Sequence, residues 1–311
     1  MKWYKKQRIF DVDQHRSESL VSHAAMPYAF HMHDDHYRVF FSSRNAEGKS
    51  LPYYFDCVVA NQTITPIGAV SQPLLVLGNL GTFDDSGIMP SSVLRINNKI
   101  YLYYVGWSVP RNVSYHLAIG LAISEDNGHT FNKLSTGPIL DRDMFDPHFS
   151  TTPYVTYVDG LFRMWYASCT GWTIIHNHTE PQYLIKYCES ADGINWHKGY
   201  PVSVDYSAHV EAIARPSIMH THEGYRMYFS YRKITDYRTQ QQQGYKIGSV
   251  TSADGIHWDG SCNLHELPLS AASWDSDMVA YCHVFTHQDI TYMLYNGNGF
   301  GKSGIGYAIL L

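Results

Sequence analysis

Pro27, Pro90, Pro153 and Pro216 stand one behind another at a step of 63 residues in a chain of 311 that has 13 prolines. The same step superposes Arg38-Val39-Phe40-Phe41, Tyr101-Leu102-Tyr103-Tyr104, Met164-Trp165-Tyr166 and Met227-Tyr228-Phe229, and a step of 66 reaches Met293-Leu294-Tyr295. Five units of this length use up nearly the whole sequence. A fixed period of this kind marks a repeat architecture, in which each unit buries its apolar faces against its neighbours.

The content of the unit decides which architecture. SVLRINNKIYLYYVG reads as strand, polar turn, strand, with Asn97-Asn98, Asp159-Gly160 and Glu223-Gly224 at the turns. A third strand follows, as in Ala118 to Ala122 or Tyr245 to Ser249. The tight reversals SEDNGHTF, SADGINW and SADGIHW come next, each placing Asp and Gly at the bend and an aromatic beyond it. The 25 Tyr, 13 Phe, 7 Trp and 23 Gly suit strands and turns, and helical patterns are scarce. Four antiparallel strands in each of five units predict an all-β chain, a five-bladed β-propeller forming one domain over 1–311. Its hairpin cores are expected near 23–44, 86–107, 149–170, 212–233 and 278–298. The last unit ends after three strands, GIGYAILL, so the N-terminal segment Trp3 to Val12 is expected to supply its fourth and join the two ends of the chain.

Net charge is −5 with no basic block, which leaves no electrostatic footprint for nucleic acid or an anionic membrane. There is no signal-like apolar segment and no run of 18 apolar residues, so a cytoplasmic protein is expected. Cys57, Cys169, Cys188, Cys262 and Cys282 are odd in number and lack a CxxC spacing, which predicts free thiols. The histidines of HMHDDH (31–36) align with His220 and His222 at a hairpin turn. They read as turn residues rather than metal ligands, because no third ligand follows at a characteristic spacing. No metal and no cofactor is expected.

In a propeller the innermost strands start around a common axis. Five residues before each ruler proline stand Ser22, Asp85, His148 and Glu211, and Asp277 holds the corresponding place in the fifth unit. A single Asp before a strand is ordinary turn chemistry. Three carboxylates at one repeat position are not, because like charges crowded in a partly desolvated mouth cost free energy. As a coupled set, one keeps its proton while another stays ionised, which is what cleavage of a glycosidic bond needs. Asp85, Glu211 and Asp277 are therefore the catalytic candidates, with Glu211 as proton donor and Asp85 or Asp277 as base or nucleophile. Asp85 and Glu211 are separated by the unit that carries His148. That favours the wider spacing of roughly 6.5–9.5 Å and hence inversion.

Loops after the second strand open on the same face and carry Arg44, Trp107, Trp172, Arg232, Lys233, Asn298 and Lys302. Aromatic faces suit sugar C–H groups, and Asn, Arg and Lys suit hydroxyls or acidic substituents. With His148 and Arg215, the residues Trp107, Trp172, Arg232, Asn298 and Lys302 form the substrate-binding set. Arg215 is placed to orient Glu211 or to hold an anionic group. The long segment around Gln240 to Gln243 is expected to form either a flap over the mouth or a disordered surface loop.

The hairpin units, their number and the ending YNGNGFGKSGIGYA resemble the five-bladed propeller glycosidases of the arabinanase, β-xylosidase, invertase and levansucrase kind, including mannoside phosphorylases. FDDSGIMPSSV, EAIARPSI and WDSDMVAYCHVF are similar to a narrower group of such propellers encoded with surface-polysaccharide genes. The resemblance implies a glycan-active enzyme, a glycoside hydrolase on a carbohydrate substrate. A carbohydrate-binding propeller without turnover, or a phosphate-dependent phosphorylase, are the alternatives. The better-known relatives carry Asp directly before the first-unit proline and Glu two residues before a later one. Here those places hold Met26 and Ala214, so those catalytic residues do not transfer.

Overall fold

The structure, a computed structural model, describes residues 2–200, 204 and 211–311. Strand β1 (Trp3–Phe10) opens the chain, and the remaining strands fall into five consecutive antiparallel groups. The first is β2 (Ser22–His33), β3 (His36–Arg44), β4 (Ser50–Ala60) and β5 (Thr63–Ile67). The second is β6 (Gly87–Ile96), β7 (Lys99–Ser108), β8 (His116–Ser124) and β9 (Asn132–Lys133). The third is β10 (Ser150–Val158), β11 (Leu161–Ile175) and β12 (His178–Ser190), with Val204 bridged to Ile185 at its edge. The fourth is β13 (Ala212–Thr221), β14 (Gly224–Arg232), β15 (Lys246–Ser252) and β16 (Cys262–Asn263). The fifth is β17 (Ala280–His287), β18 (Ile290–Asn296) and β19 (Ile305–Leu310). Strand β1 pairs antiparallel with β19, from Trp3 opposite Leu310 to Phe10 opposite Ile305, so the N-terminus joins the last group.

The first strand of each group packs against the first strand of the next: β2 on β6, β6 on β10, β10 on β13, β13 on β17, and β17 back on β2. No sheet closes by hydrogen bonds among the described residues. Single parallel pairs, Ser50 with Gly87 and Tyr183 with Ala212, link the first group to the second and the third to the fourth. The contact between groups is made by side chains. In β7, Ile100, Leu102 and Tyr104 face a core shared with Tyr28, Phe30 and Phe40 of the first group. The alternate residues Tyr101 and Tyr103 face Val155, Met164 and Tyr166 of the third. Successive side chains of a strand point to opposite faces, and here both faces are covered, which is why the sequence reads as an unbroken aromatic run. The same arrangement joins the third group to the fourth around Trp165 and Phe229, the fourth to the fifth around Tyr228 and Val279, and the fifth to the first around Phe41, Tyr53 and Tyr307.

Three groups carry a buried acid that clasps two of their strands. Asp84, Asp146 and Asp275 each accept from a tyrosine hydroxyl 20 residues later, Tyr104 at 3.3 Å, Tyr166 at 2.9 Å and Tyr295 at 3.0 Å. Each is also met by lysine: Lys133 at 2.5 Å from Asp84, Lys186 at 2.9 Å and Lys198 at 2.7 Å from Asp146, and Lys5 of β1 at 2.5 Å from Asp275. Burial raises the Asp146 carboxyl, but hydrogen bonds from Lys198, Ser168 and Lys186 outweigh it and hold the group below the usual carboxylate range. Asp275 is likewise lowered, burial being outweighed by Lys5, Ser270 and Tyr295.

Candidate functional site

Every first strand breaks its ladder at one place. Register shifts lie between Ala25 and Tyr28, Pro90 and Ser92, Thr151 and Tyr154, Ala214 and Ser217, and Ala280 and His283. In four of the five groups a ruler proline sits at the break. It has no N–H to give to the ladder, and the strand bulges there. The residue before that place is left-handed in four groups: Met26 (φ 61°), Thr152 (φ 46°), Arg215 (φ 57°) and Tyr281 (φ 54°). A left-handed non-glycine residue costs about 1–2 kcal/mol, and such residues cluster where backbone strain serves a site. The bulges turn one end of the bundle of first strands into a cavity of about 220 Å³.

Met26, Met89, Thr152, Ala214 and Tyr281, one or two residues before the break in each group, all line this cavity. Its wall is completed by Trp107, Tyr115, Tyr183, Tyr237, Tyr245 and Phe300, and its polar points include His23, Arg44 and Arg238. Gly87 makes room for Trp107: a Cβ there would lie 1.6 Å from the indole Nε1. Tyr183 and Tyr245 place their hydroxyls 3.2 Å apart, and burial raises the Tyr183 phenol well above its ordinary value, so it stays protonated at neutral pH. Behind them Arg232 is buried, donating to Tyr183 Oη at 2.7 Å and stacking on Tyr237 at 3.7 Å. Tyr237 in turn donates to Glu180 at 2.7 Å, and Arg238 reaches the same carboxylate at 3.2 and 3.3 Å. His23 is pushed down to about 3 by burial and by the charges of Arg44 and Lys302, so its ring is neutral. Its Nδ1 lies 2.9 Å from Ser22 Oγ.

The carboxylates singled out from the repeat precede the first strands of their groups, three or four residues ahead of the cavity-lining Met89, Ala214 and Tyr281. Asp85 accepts from Gly81 N–H at 2.9 Å and from Ser86 Oγ at 2.7 Å. Glu211 accepts from Ile234 N–H at 2.7 Å. Asp277 is exposed and takes the Ser276 hydroxyl at 3.1 Å. None of the three, nor His148, is among the residues that line the cavity, and the described lining contains no carboxylate at all. Trp107 is part of the wall. Trp172 supports it from behind, 5.5 Å from Tyr115 centroid to centroid. Asn298 receives the N–H groups of Asp277 and Met278 at 2.7 and 3.0 Å, and so shapes the turn that carries Phe300 and Lys302.

Arg215 does not reach Glu211. Its guanidinium is buried on the axis and donates to Ser91 O and Oγ at 2.5 and 2.7 Å and to Pro27 O at 3.0 Å, tying the fourth group to the second and first. Beyond it the five first strands enclose a second cavity of about 410 Å³, lined among others by Tyr28, Tyr154 and His283. Arg215 therefore separates the two ends of the axial space. The histidines His31 and His220 line that far cavity. The long segment of the fourth group leads from Tyr237 and Arg238 at the cavity to Gln241, which donates to Ser276 O at 2.5 Å and so spans to the fifth group.

The residues that line the cavity, His23, Met26, Tyr115, Tyr183, Tyr237, Arg238, Tyr245, Tyr281 and Phe300, are missed when the repeat is aligned at the strand start. The same alignment four residues later, at the position before the proline, picks out Met26, Met89, Thr152 and Tyr281 directly. Met26 and Ala214, where better-known propeller glycosidases place acids, do face the cavity.

Such a frame defines a class by its fold. A structure of BT0996 in complex with RGII superposes with a TM-score of 0.71 at 14% identity over 99% of this sequence and 91% of its own. A thermostable family-43 glycoside hydrolase gives 0.62 at 15% over 94% and 90%, and the Bombyx mori GH32 beta-fructofuranosidase BmSUC1 gives 0.63 at 13% over 93% and 61%. The structural neighbours are thus propeller glycosidases, and the likeness is one of fold. No protein-family profile matches the sequence. By sequence the protein is 34% identical over 317 residues, 100% of its own length and 99% of the relative's, to "Uncharacterized protein Rv1502" of Mycobacterium tuberculosis (strain ATCC 25618 / H37Rv). It matches "Uncharacterized protein MT1551" of strain CDC 1551 / Oshkosh equally, at 34%. The protein belongs to the family that includes these two.

Proposed function

We propose that this protein is a five-bladed propeller that acts on a glycan, taking one sugar residue into the axial cavity. The observation that carries the reading is the ring of bulges: five first strands, each packed on the next, each turning a side chain into one aromatic-walled space. Trp107, Tyr245, Tyr281 and Phe300 offer flat faces to sugar C–H groups, while phenols, His23 and arginines offer hydrogen bonds to hydroxyls. The cavity is smaller than the roughly 300–1,000 Å³ of pockets for drug-sized ligands, which suits a single sugar ring with the rest of the glycan outside. A sugar seated there presents its outer bond towards the rim, where Glu211, Asp85 and Asp277 stand. In this reading the enzyme is a glycoside hydrolase with Glu211 as proton donor and Asp85 as base. Glu211→Gln and Asp85→Asn should each lower turnover on a glycoside panel by at least about a hundredfold while the fold is kept. Wild-type rates in both variants remove these residues from catalysis.

A second reading is favoured by the lining itself. With Met26 and Ala214 in the wall and no carboxylate beside them, the cavity is equipped to bind rather than to transfer protons. Saturable glycan binding in a calorimeter without released reducing sugar supports this reading, and any released sugar that disappears in Glu211→Gln excludes it.

A further inference from the structure

We infer that the sugar in the axial cavity carries a fixed negative charge, held by Arg44 together with Lys302 and Arg238. The inference rests on the reading that the cavity takes a sugar, and it adds the class of that sugar: one bearing a carboxylate, sulfate or phosphate.

Arg44 ends β3 opposite Ser22 and lines the cavity, and among the described residues its guanidinium has neither an ion-pair partner nor a hydrogen-bond acceptor. Arg238 lines the same space and is near enough that its charge opposes that of Arg44. Lys302, on the turn that brings Phe300 into the wall, also lacks an acidic partner among the described residues, and its charge is felt at His23. Arg232 adds a buried cation behind Tyr183, whose phenol is kept protonated by burial and does not neutralise it. Among the described residues Glu180 is the one carboxylate that pairs with these cations, through Arg238, and it is also engaged by Tyr237, while Glu211, Asp85 and Asp277 ahead of the first strands pair with none of them.

A lone arginine at a surface needs no explanation. Two arginines lining one aromatic cavity, with Lys302 on the adjoining turn and Arg232 behind the tyrosines, in a chain whose net charge is −5, do need one. Arg44, Arg238 and Lys302 are exposed to solvent at the opening of that cavity, and a cleft of one sign with low-dielectric walls draws ions of the other. Planar guanidinium groups match carboxylate, sulfate and phosphate oxygens in paired hydrogen bonds. The aromatic faces at the same place hold the ring that carries the acid group.

The test is calorimetric titration of the full chain with matched probes: glucose and glucuronate, galactose and galacturonate, glucose 6-phosphate, and inorganic phosphate with and without a neutral sugar. At least one anionic sugar should bind tenfold or more tightly than its neutral partner, with an affinity that falls as salt is raised. Arg44→Gln and Lys302→Gln, each checked for an unchanged melting curve, should remove most of that preference by weakening the acidic sugar far more than its neutral partner. Equal binding of neutral and acidic members in every pair overturns the inference and leaves the glycan reading in place. Enhancement of neutral-sugar binding by inorganic phosphate, without preference for any acidic sugar, overturns the sugar-borne charge in favour of a separate phosphate. Absence of binding by every probe overturns both readings.

Discussion

Asp146 is fully buried and is met by Lys186 at 2.9 Å, Lys198 at 2.7 Å and the Tyr166 hydroxyl at 2.9 Å, whereas Arg44, at the axial cavity, meets no carboxylate among the described residues. Both groups are charged, and both belong to the repeat, yet one is compensated on every side and the other is left open. Within the units, acids serve cohesion. Asp84, Asp146 and Asp275 each bind a tyrosine and at least one lysine, so the cost of burying charge is offset where it arises. Around the mouth Arg44 and Lys302 have no acidic partner among the described residues, and a ligand is the natural source of the compensating charge. The contrast separates charges that hold the fold from charges that wait for a partner, and it can be broken by substitutions on each side.

The largest effect is expected at Asp146. Asp146→Asn leaves Lys186 and Lys198 without their buried counter-charge, and breaking a buried pair from one side costs about 3–5 kcal/mol. Urea unfolding followed by tryptophan fluorescence should show the midpoint fall with little change in slope. A loss below about 1 kcal/mol would mean that the lysines find water or another acceptor, and the clasp would no longer differ in kind from the mouth.

A smaller effect is expected with pH. The Asp146 and Asp275 carboxyls are held below their ordinary values: burial raises each, but lysine and hydroxyl hydrogen bonds more than offset it. A carboxyl lowered in the folded state contributes stability that is fully present above its unfolded value, about 3.9, and is lost as pH falls through the folded value. The share of stability owed to these two carboxyls should therefore be level from about pH 5 upward and decline below about pH 4. It comes on top of a fall that begins near pH 6.5 because the His23 ring stays neutral in the fold, and Asp275→Asn should flatten the carboxyl part. Arg44→Gln should leave that carboxyl part where it is. An acid limb unchanged by Asp275→Asn would place the origin of the pH dependence in other carboxylates.

The repeat, the strand-turn-strand pattern and the all-β character were legible because they depend on spacing, and spacing survives in a single sequence. Pro27, Pro90, Pro153 and Pro216 mark the place where each first strand loses a ladder donor. The donation of β1 to β19 followed from counting strands. The cavity lining was not legible in the same way. A bulge with φ near +60° re-aims Met26, Thr152, Arg215 and Tyr281, and nothing in a methionine or a threonine announces a left-handed backbone. Acids near the rulers drew attention by their charge, yet neighbours such as Asp84 and Asp85, or Asp275 and Asp277, divide between a buried clasp and the rim. All four precede their strands, in turns where local backbone direction rather than strand alternation decides what a carboxylate meets. Arg215 was similarly opaque, because its partners are a hydroxyl and carbonyls of two distant units.

The smallest effect is expected at Arg44, and its sign carries the comparison furthest. If Arg44 were part of what holds the molecule together, Arg44→Gln would destabilise it in the manner of Asp146→Asn. Its side chain instead has no acceptor among the described residues, and it faces a like charge on Arg238. Partial burial lowers its ordinarily high pKa, with Tyr281 opposing the shift and Arg238 adding to it, so the exposed guanidinium gains no net stabilisation of its charge from the fold. Removing the charge should leave stability within about 0.5 kcal/mol of wild type, on the stabilising side, as when a residue kept for binding is removed from a site. Thermal unfolding at low and high salt measures this: any gain should be largest at low salt, where repulsion between the two arginines is least screened. A clear loss of stability that grows as salt is lowered would mean that Arg44 has a counter-charge in the folded chain, and the mouth would then be compensated in the same way as the clasps.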